Sequence, residues 1–292
     1  MPSKHLPIYQ IQDFHAQVRM EGHFYLSAFG EHLQEHLFIQ KPHKHNFYIL
    51  LFITQGSGTH TIDFQEYPVA PNTMFFMTPG QVHSWDLSNE TDGFVLFFSQ
   101  EYYQQAFPHK KLYNYPFFNA LLHQPYLPLE ASSAAALAGI IDKMEAELLD
   151  RQLMQTDMLL LYLDMLLILL SRAYQAQGIE VQAAGGALSQ LQLLENLIDQ
   201  QYKNHLPVSF YADQLGLSTK QLNEACRRSL NETATALIQK RVILEARRLL
   251  VHTHLTSSQI AAELGYMDIT YFFRFFKKHT GLTPEQFRHC HH

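Results

Sequence analysis

The pattern of hydrophobic and polar positions divides the chain into a β-rich first part and a helical remainder. Between about residues 15 and 98, short runs of Ile, Phe, Tyr and Val alternate with turn residues, and no helical repeat interrupts them. Strands at this spacing are typical of an antiparallel sandwich or barrel, whereas a parallel sheet would need helical crossovers. The clearest predicted strands are residues 47–54, 59–64, 73–77 and 94–99.

After Pro128 the apolar residues recur at helical spacing, which predicts helices over 132–149 and 156–175 that form a hairpin. The second helix is apolar nearly all round, so it must be covered on most sides, by the strands, its partner helix or another subunit. Its apolar stretch, residues 158–170, is too short to span a bilayer. We predict that it forms a dimer contact through Leu159, Leu163, Leu166, Leu167 and Leu170.

The last hundred residues repeat one arrangement of helices. A short helix over 209–215, a turn at Gly216 and a helix over 219–230 capped by Ser218 form the first copy. A long helix over 232–252 follows. The second copy has a short helix over 257–264, a turn at Gly265, and a helix that begins at the cap Asp268 and ends near His279.

A short helix, a tight turn with glycine and a capped second helix are the plan of a helix-turn-helix unit. In such units the second helix enters the major groove with its first turns towards the base edges. A connecting helix of about 20 residues spans roughly 30 Å, close to the roughly 34 Å repeat of the duplex. Two copies joined in this way could therefore address successive major grooves on one side of DNA.

The residues of the second copy and their spacing resemble the signature of AraC/XylS-family transcription regulators. The resemblance covers about 100 residues. In the first copy, Asn231 stands at the usual glycine position, which its tolerance of left-handed φ allows, and Cys226 stands at a usual phenylalanine position. The matching residues are Ile260, Ala261, Leu264, Gly265, Tyr266, Asp268, Tyr271, Phe272, Arg274, Phe276, Lys277, Lys278, Gly281, Thr283, Pro284, Phe287 and Arg288.

The resemblance implies which residues contact DNA. In the second unit, Arg274 suits guanine, and Ile269 or Phe273 suits a thymine methyl group. In the first unit, Asn223 suits adenine. The full set expected to face bases is Lys220, Asn223, Glu224, Ile269, Thr270, Phe273 and Arg274. Arg227, Arg228, Lys277 and Lys278 are expected at phosphates. Most of the aromatic residues near 272–276 are expected in the core.

The first part of the chain resembles the cupin-like sensor domain of the same family, on three segments: 42–48, 56–60 and 79–85. The resemblance implies a jelly-roll barrel that holds an effector, which we expect to be a small molecule such as an aromatic acid. The expected contacts are His43, His45, Tyr48, His83 and Trp85. Metal-binding cupins usually add a glutamate after the His-x-His pair, and residues 49–52 lack one, so we predict no metal and no cofactor.

The expected fold class is therefore α+β and multidomain. A β jelly-roll, cupin-like barrel occupies 1–130, a helical hairpin for dimerisation 131–177, a flexible linker 178–187, and an all-α double helix-turn-helix domain 188–292. The net charge of −6 divides unevenly: residues 186–292 carry 12 Lys and Arg against 9 Asp and Glu, or +3, and the rest carries 9 against 18, or −9. This difference favours DNA contact by the helical domain.

Two cysteines and the absence of an apolar run in the first ten residues predict a cytoplasmic protein without a disulfide framework or signal peptide. We predict a transcription regulator that acts as an activator. Its expected partners are double-stranded promoter DNA, a small-molecule effector, a second copy of the chain and RNA polymerase, and we expect no association with a membrane. We predict no enzyme activity. The alternatives are a cupin-type metal-dependent enzyme fused to a DNA-binding domain, a DNA-binding protein that responds to no ligand, and a regulator that senses a protein partner.

Overall fold

The computed structural model describes residues 6–14, 19–20, 23–119, 124–150, 152–177 and 187–291. The chain forms two compact units: Ile8–Val181 is the sheet unit, and Met1–Pro7 with Gln182–His292 is the helical unit. Residues 178–186 of the predicted linker lie outside the described residues, and Ala187 already begins a helix.

The sheet unit contains two sheets, one helical hairpin and two short helices in its described residues. The elements are β1 (Ile8–Tyr9), β2 (Arg19–Met20), β3 (Phe24–Ala28), α1 (Phe29–Glu35), β4 (His43–His45), β5 (Tyr48–Gln55), β6 (Gly58–Ile62), β7 (Gln65–Val69), β8 (Thr73–Met77), β9 (Val82–Leu87), β10 (Asp92–Phe98), α2 (Gln100–Ala106), β11 (Tyr126–Pro128), α3 (Ala131–Asp150) and α4 (Gln155–Ala176).

The two sheets pack face to face. One has the order β1-β4-β9-β6-β7 and the other β11-β8-β5-β10-β3-β2. Apart from the parallel pair β1 and β4, neighbouring strands are antiparallel. Side chains from both sheets share one buried core, which includes Ile62, Phe75 and Phe97. The predicted jelly-roll class is confirmed, and in the described residues it is a sandwich of two open sheets instead of one closed barrel.

Strand β5 is buried on both faces, which explains its unbroken apolar run. Because successive strand residues point to opposite faces, Ile49, Leu51 and Ile53 enter the core between the sheets. Leu50 and Phe52 enter a second core under the helical hairpin. The six-stranded sheet is therefore the middle layer of the unit, with the five-stranded sheet on one side and α3 and α4 on the other.

One buried carboxylate fastens α4 to the segment before the hairpin. Asp164 accepts hydrogen bonds from Tyr103 Oη at 2.7 Å and from Tyr115 Oη at 3.1 Å. Lys110 Nζ lies 2.6 Å from the other carboxylate oxygen. The partners satisfy a charge that would otherwise be costly to bury, so α2, which carries Tyr103, is held against α4.

In the helical unit, the two predicted helix-turn-helix pairs and the long helix between them follow the predicted order, with one further α-helix before them and one after them in the described residues. The α-helices are α5 (Ala187–Gln201), α6 (Val208–Gln214), α7 (Thr219–Leu230), α8 (Ala234–His252), α9 (Ser257–Glu263), α10 (Ile269–Thr280) and α11 (Pro284–His291). The predicted helix-turn-helix pairs are thus confirmed as α6 with α7 and α9 with α10, and α8 connects them. None of the helices in the described ranges has both the length and the apolar character that a membrane crossing requires.

Candidate functional sites

Helix α7 begins and ends as the sequence predicts. The Ser218 hydroxyl accepts from the backbone N–H of Gln221, and the Gln221 side chain returns a bond to Ser218, which forms a capping box. At the other end Asn231 has φ 54°, in the left-handed region, and its N–H donates to the Arg227 carbonyl. Asparagine therefore performs the turn for which glycine is the usual residue.

Helix α10 is capped in the same manner. The Asp268 carboxylate accepts from the backbone N–H groups of Thr270 and Tyr271, and these bonds lower the pKa of Asp268. A carboxylate at a helix N-terminus also interacts favourably with the helix dipole. Gly281 ends the helix with φ 79°. Helices α7 and α10 are the second helices of their helix-turn-helix units, and we call them the recognition helices. Both thus have fixed first turns.

The connecting helix α8 is anchored by buried charges. Arg241 pairs with Asp199 of α5 and with Glu245, and Glu245 also accepts from Arg248, with 3.0 Å between the nitrogen and oxygen. At the C-terminal end, Arg288 of α11 donates to the carbonyl groups of Leu250 and Leu255. Arg288 is therefore a structural residue that satisfies carbonyl groups in and just after the last turn of α8.

A second set of contacts joins the second helix-turn-helix unit to the segment that precedes the first one. His205, just before α6, bonds through Nε2 to the Leu264 carbonyl at 2.9 Å, and its ring lies 4.3 Å from that of Tyr266. Lys203 Nζ lies 2.8 Å from Glu263. The turn between α9 and α10 thus rests on the segment between α5 and α6, which restrains one unit relative to the other.

Most of the residues predicted to face bases are exposed on the first turns of the two recognition helices. Lys220 and Glu224 are exposed on α7, and Ile269, Thr270 and Arg274 on α10, whereas Phe273 is half-buried against Phe272. Arg227 and Arg228 on α7 and Lys277 and Lys278 on α10 are exposed as well. The structure therefore leaves the basic and polar side chains of both helices accessible to an anionic ligand.

Asn223 occupies a different position from the rest of the predicted set. Its amide nitrogen donates to the Thr219 carbonyl at 2.9 Å, and its amide oxygen accepts from the Ala234 N–H at 3.1 Å. A bidentate adenine contact needs both of these atoms. In this structure Asn223 instead adds a cap to the start of α8, which the sequence analysis missed because the bond joins residues in different helices.

Four of the five predicted effector residues lie together, and Tyr48 lies elsewhere. His43 and His83 are directly opposite on β4 and β9, and His45 follows on the same face of β4. Trp85 is half-buried beside them, with its ring 4.8 Å from that of His83. Tyr48 packs in the core under the hairpin, so it points to the opposite face of its sheet. The prediction that Tyr48 shares a site with the histidines is wrong, since strand alternation turns it away.

A fourth histidine, which the sequence analysis did not single out, completes this group. His60 Nε2 lies 3.1 Å from His83 Nδ1, and His83 Nε2 lies 2.7 Å from His45 Nε2. Burial lowers the pKa of His43 to about 4 and that of His60 to about 3. Burial and the neighbouring histidines lower the pKa values of His45 and His83 as well. All four rings are therefore neutral at pH 7.

The group contains ring nitrogens without partners. Within the described part of the chain, His43 Nε2, His45 Nδ1 and His60 Nδ1 are buried and make no hydrogen bond. Leaving a buried polar atom unpaired costs about 1–3 kcal/mol, so such atoms are uncommon without a reason. The segment 56–60, which the sequence analysis compared with the cupin-like pattern, contains the signal that could have identified His60.

The sheet unit also contains a cavity that the histidine group does not line. It has a volume of about 580 Å³ and is bordered by β-strand ends, the start of α2 and the segment after β1. As far as the described residues show, none of the five predicted effector residues lines it. Its walls are largely amide and hydroxyl groups with one carboxylate: Gln10, Ile11, Gln12, His23, Asn46, Phe47, Pro79, Ser99, Gln100, Glu101 and Gln104.

The five leucines predicted at a dimer contact are core residues of a single chain. Leu159, Leu163, Leu166, Leu167 and Leu170 are all fully buried against α3 and the sheet. The prediction that they form a dimer contact is wrong, because the sheet and α3 of the same chain cover them. The apolar residues that α4 does expose are Leu161 at 55% and Met165 at 39%, with half-buried Met158 and Ile168 in line with them. We call these four residues the α4 stripe.

Comparison with known protein families gives two matches, one in each unit. A model described as the AraC-like ligand binding domain matches residues 23–162. A model described as a helix-turn-helix domain matches residues 211–289. The first match contains the histidine group, most of the cavity lining and the first eight residues of α4. The second contains both recognition helices.

Individual relatives are similar to this chain over different shares of its length. The HTH-type transcriptional activator RhaR of Escherichia coli K12 is 25% identical over 250 residues, which are 85% of this chain and 86% of that protein. ToxT from Vibrio cholerae O395 aligns over 84% of this chain and 90% of its own, with 13% identity and a TM-score of 0.42. The C-terminal domain of the response regulator yesN from Fusobacterium nucleatum covers 34% of this chain and 98% of its own, with 27% identity and a TM-score of 0.33.

Proposed function

This chain belongs to the AraC family of transcription regulators, and on that premise we propose that it activates transcription when a small molecule binds its sheet unit. The observation that carries the proposal is the pair of capped recognition helices, α7 and α10, restrained by α8 and by the His205–Leu264 bond. The activating sense is supported by the relative RhaR, which is a transcriptional activator.

DNA recognition follows from what each recognition helix exposes. Arg274 can donate two hydrogen bonds to one guanine, and Ile269 offers an apolar contact to a thymine methyl group. Lys220 and Thr270 offer further donors at the matching helix starts. Lys278 and Arg228 project from the last turns, where contact with phosphate oxygens would set the register on the duplex. We therefore assign sequence reading to the first turns and positioning to the last turns.

The first prediction separates these two roles. Preferred sites are first selected from genomic fragments with the full chain, and affinities are then measured by fluorescence anisotropy over a range of salt concentrations. Arg274→Ala should weaken binding at the selected sites by about 1–3 kcal/mol, roughly 5- to 150-fold, and relax the preference at one base pair. Lys278→Ala should weaken all sequences alike and lower the slope of log affinity against log salt by about 1.

Lys143→Ala, on the exposed face of α3 in the sheet unit, is the matched control for loss of one positive charge. It should leave affinity and salt slope unchanged. Equal effects of the Lys143 and Arg274 variants, or no selected sequence at all, would contradict the assignment of α10 to base recognition.

We place the effector in the 580 Å³ cavity, since its size suits a small molecule. Among the described residues that line it there is a carboxylate, Glu101, but no lysine or arginine. A carboxylic acid would find no permanent positive charge there, only the His23 ring and amide donors, whereas a polyhydroxylated neutral compound would find amide donors and acceptors on several sides. We therefore propose a polyhydroxylated compound as the effector class, with an aromatic acid as the alternative outcome.

The second prediction tests that assignment by thermal shift and calorimetry on the full chain, with panels of sugars, polyols and aromatic acids. A member of the first two panels should bind, and Gln104→Leu should weaken it by at least tenfold, because a lining amide is lost. Gln105→Leu, an exposed neighbour that does not line the cavity, should bind as the wild type does. Binding only by aromatic acids, or equal loss in both variants, would contradict the proposed class and place.

A route from the cavity to α4 is present within the sheet unit. Helix α2 contributes Gln100 and Gln104 to the cavity wall, and Tyr103 of the same helix bonds to Asp164 of α4. We propose that a ligand with different affinities for two positions of α2 shifts α4, since only such a difference can move the equilibrium.

Several partners belong to this proposal. We propose that two copies associate through the α4 stripe, that the activated protein contacts RNA polymerase, and that it works in the cytoplasm, where promoter DNA lies.

We propose no enzymatic activity, which the family membership supports. A metal-dependent enzyme fused to a DNA-binding domain would instead convert the cavity ligand, so recovery of the unchanged ligand after prolonged incubation separates the two functions.

A further inference from the structure

The buried histidines of the five-stranded sheet have the geometry of a set of metal ligands. His43 and His83 are register partners on adjacent antiparallel strands, and His45 lies two residues further on the same face. One ring nitrogen from each of the three lies within 4.8 Å of the others. All three side chains are almost fully buried, so they converge inside the protein and not on its surface.

The hydrogen bonds around these rings leave lone pairs available. His43 Nδ1 lies 2.7 Å from the Lys41 carbonyl, which can only accept, so Nδ1 carries the proton and Nε2 holds a lone pair. That Nε2 is buried and, in the described residues, without a partner. A ring fixed by a backbone carbonyl through one nitrogen, with the other open, is the usual arrangement of a metal-ligating histidine.

His60 performs the same orienting role for His83. Its Nε2 lies 3.1 Å from His83 Nδ1 and accepts a hydrogen bond from the Nδ1–H group when His83 Nε2 acts as a ligand.

Contrary to the sequence-based expectation of no metal, we propose that His43, His45 and His83 bind one divalent transition-metal ion, with zinc as the first candidate, between strands β4 and β9. Three imidazoles without a carboxylate suit zinc, copper or nickel better than magnesium, calcium or manganese. Three protein ligands leave one position of a tetrahedral ion for water.

The ring nitrogens must move to accept the ion: the closest pair separates slightly, and the widest closes by up to about 1.5 Å. Ligand nitrogens about 2.0–2.1 Å from one zinc ion lie roughly 3.3 Å apart in a tetrahedron. His45 Nε2 and His83 Nε2 are 2.7 Å apart, so they would separate by a few tenths of an ångström, and the widest spacing of 4.8 Å would close. The ion would cross-link β4 to β9 and thereby stabilise the sheet unit, whatever ligand occupies the cavity.

The experiment uses the untagged full chain, stripped with a chelator and dialysed against Zn²⁺. We expect one equivalent of bound zinc by elemental analysis and a rise in Tm on the order of 5 °C at a hundredfold excess over Kd. Substitution with Co²⁺ should give the visible absorption of a four-coordinate ion with nitrogen ligands. Absence of bound zinc and of a Co²⁺ spectrum would overturn the proposal.

Variants identify the ligands. His43→Gln, His45→Gln and His83→Gln should each lose the bound equivalent. His60→Gln should keep the stoichiometry but weaken the affinity about 10- to 100-fold, as expected of a residue that orients a ligand. His32→Gln is the matched control, since His32 is equally buried and bonds to Tyr25 but does not belong to the group.

Retention of one equivalent by all three ligand variants would overturn the proposal, because the ion would then sit among the other histidines of a chain that has 18. Near-ultraviolet circular dichroism checks that each variant is folded. Where a ligand variant does not fold, the Co²⁺ spectrum of the wild type decides.

Discussion

At the scale of single residues, two glycines occupy equivalent turns but face different surroundings. Gly216 has φ +65° and Gly265 has φ +81°, so an alanine at either position is strained. A Cβ at Gly216 meets nothing within 4 Å, whereas one at Gly265 would lie 2.1 Å from the Lys203 carbonyl oxygen. The second turn therefore also depends on glycine for its close contact with the segment before α6.

The third prediction compares these two positions. Gly216→Ala should lower the free energy of unfolding by about 1 kcal/mol, the usual cost of left-handed φ for a residue with a side chain. Gly265→Ala should cost at least about 2 kcal/mol more, because the backbone contact with Lys203 must open. Urea denaturation of the full chain measures both. Equal losses would mean that the contact between the turn at Gly265 and the segment before α6 is not held in solution.

Individual residues also show how far sequence reasoning extends. Caps at Ser218 and Asp268 and the left-handed turn at Asn231 were predictable, because each depends on residues within one turn of helix. The role of Asn223 was not, since its partner Ala234 belongs to the next helix. Nor was the polar cavity, whose lining comes from several separated segments with no local pattern.

At the scale of secondary-structure elements, α4 illustrates an ambiguity that periodicity does not resolve. An apolar pattern on nearly all sides predicts that a helix is covered, but not which side its own domain covers. Leu163 and Leu167 turned out to face the sheet and α3, and the α4 stripe is what remains exposed. The fold class and the element order were predictable, whereas the partner of each helix face was not.

The fourth prediction concerns the α4 stripe. In light scattering, the wild type should show twice the 33.9 kDa mass of one chain, measured with and without site DNA. The double variant Leu161→Glu with Met165→Glu should be monomeric and folded, because each new carboxylate would be buried unpaired in the contact. Ala136→Glu, an exposed position on α3, should remain dimeric.

Leu163→Ala provides the opposite comparison. It should remain dimeric but lower the free energy of unfolding by about 2–5 kcal/mol, as core truncations do. A double variant that still dimerises, or a wild type that is monomeric even on DNA, would place the contact between copies elsewhere.

At the scale of the whole molecule, each unit carries one half of the proposed regulation. The sheet unit has a polar cavity, and the Tyr103–Asp164 bond connects the helix beside that cavity to α4. The helical unit has two recognition helices joined by α8, whose 19 residues span about 28 Å. That length is close to the roughly 34 Å repeat of the duplex, which permits both helices to enter successive major grooves.

Hydroxyl-radical footprinting of the full chain on a selected site tests this central claim most directly. The account predicts two protected segments on one side of the duplex, about one helical turn apart, from a single chain. It also predicts that inserting 5 base pairs between them removes one protection and lowers affinity, because α8 does not let α10 rotate to the opposite side. A single protected groove, or unchanged binding after the insertion, would contradict the account.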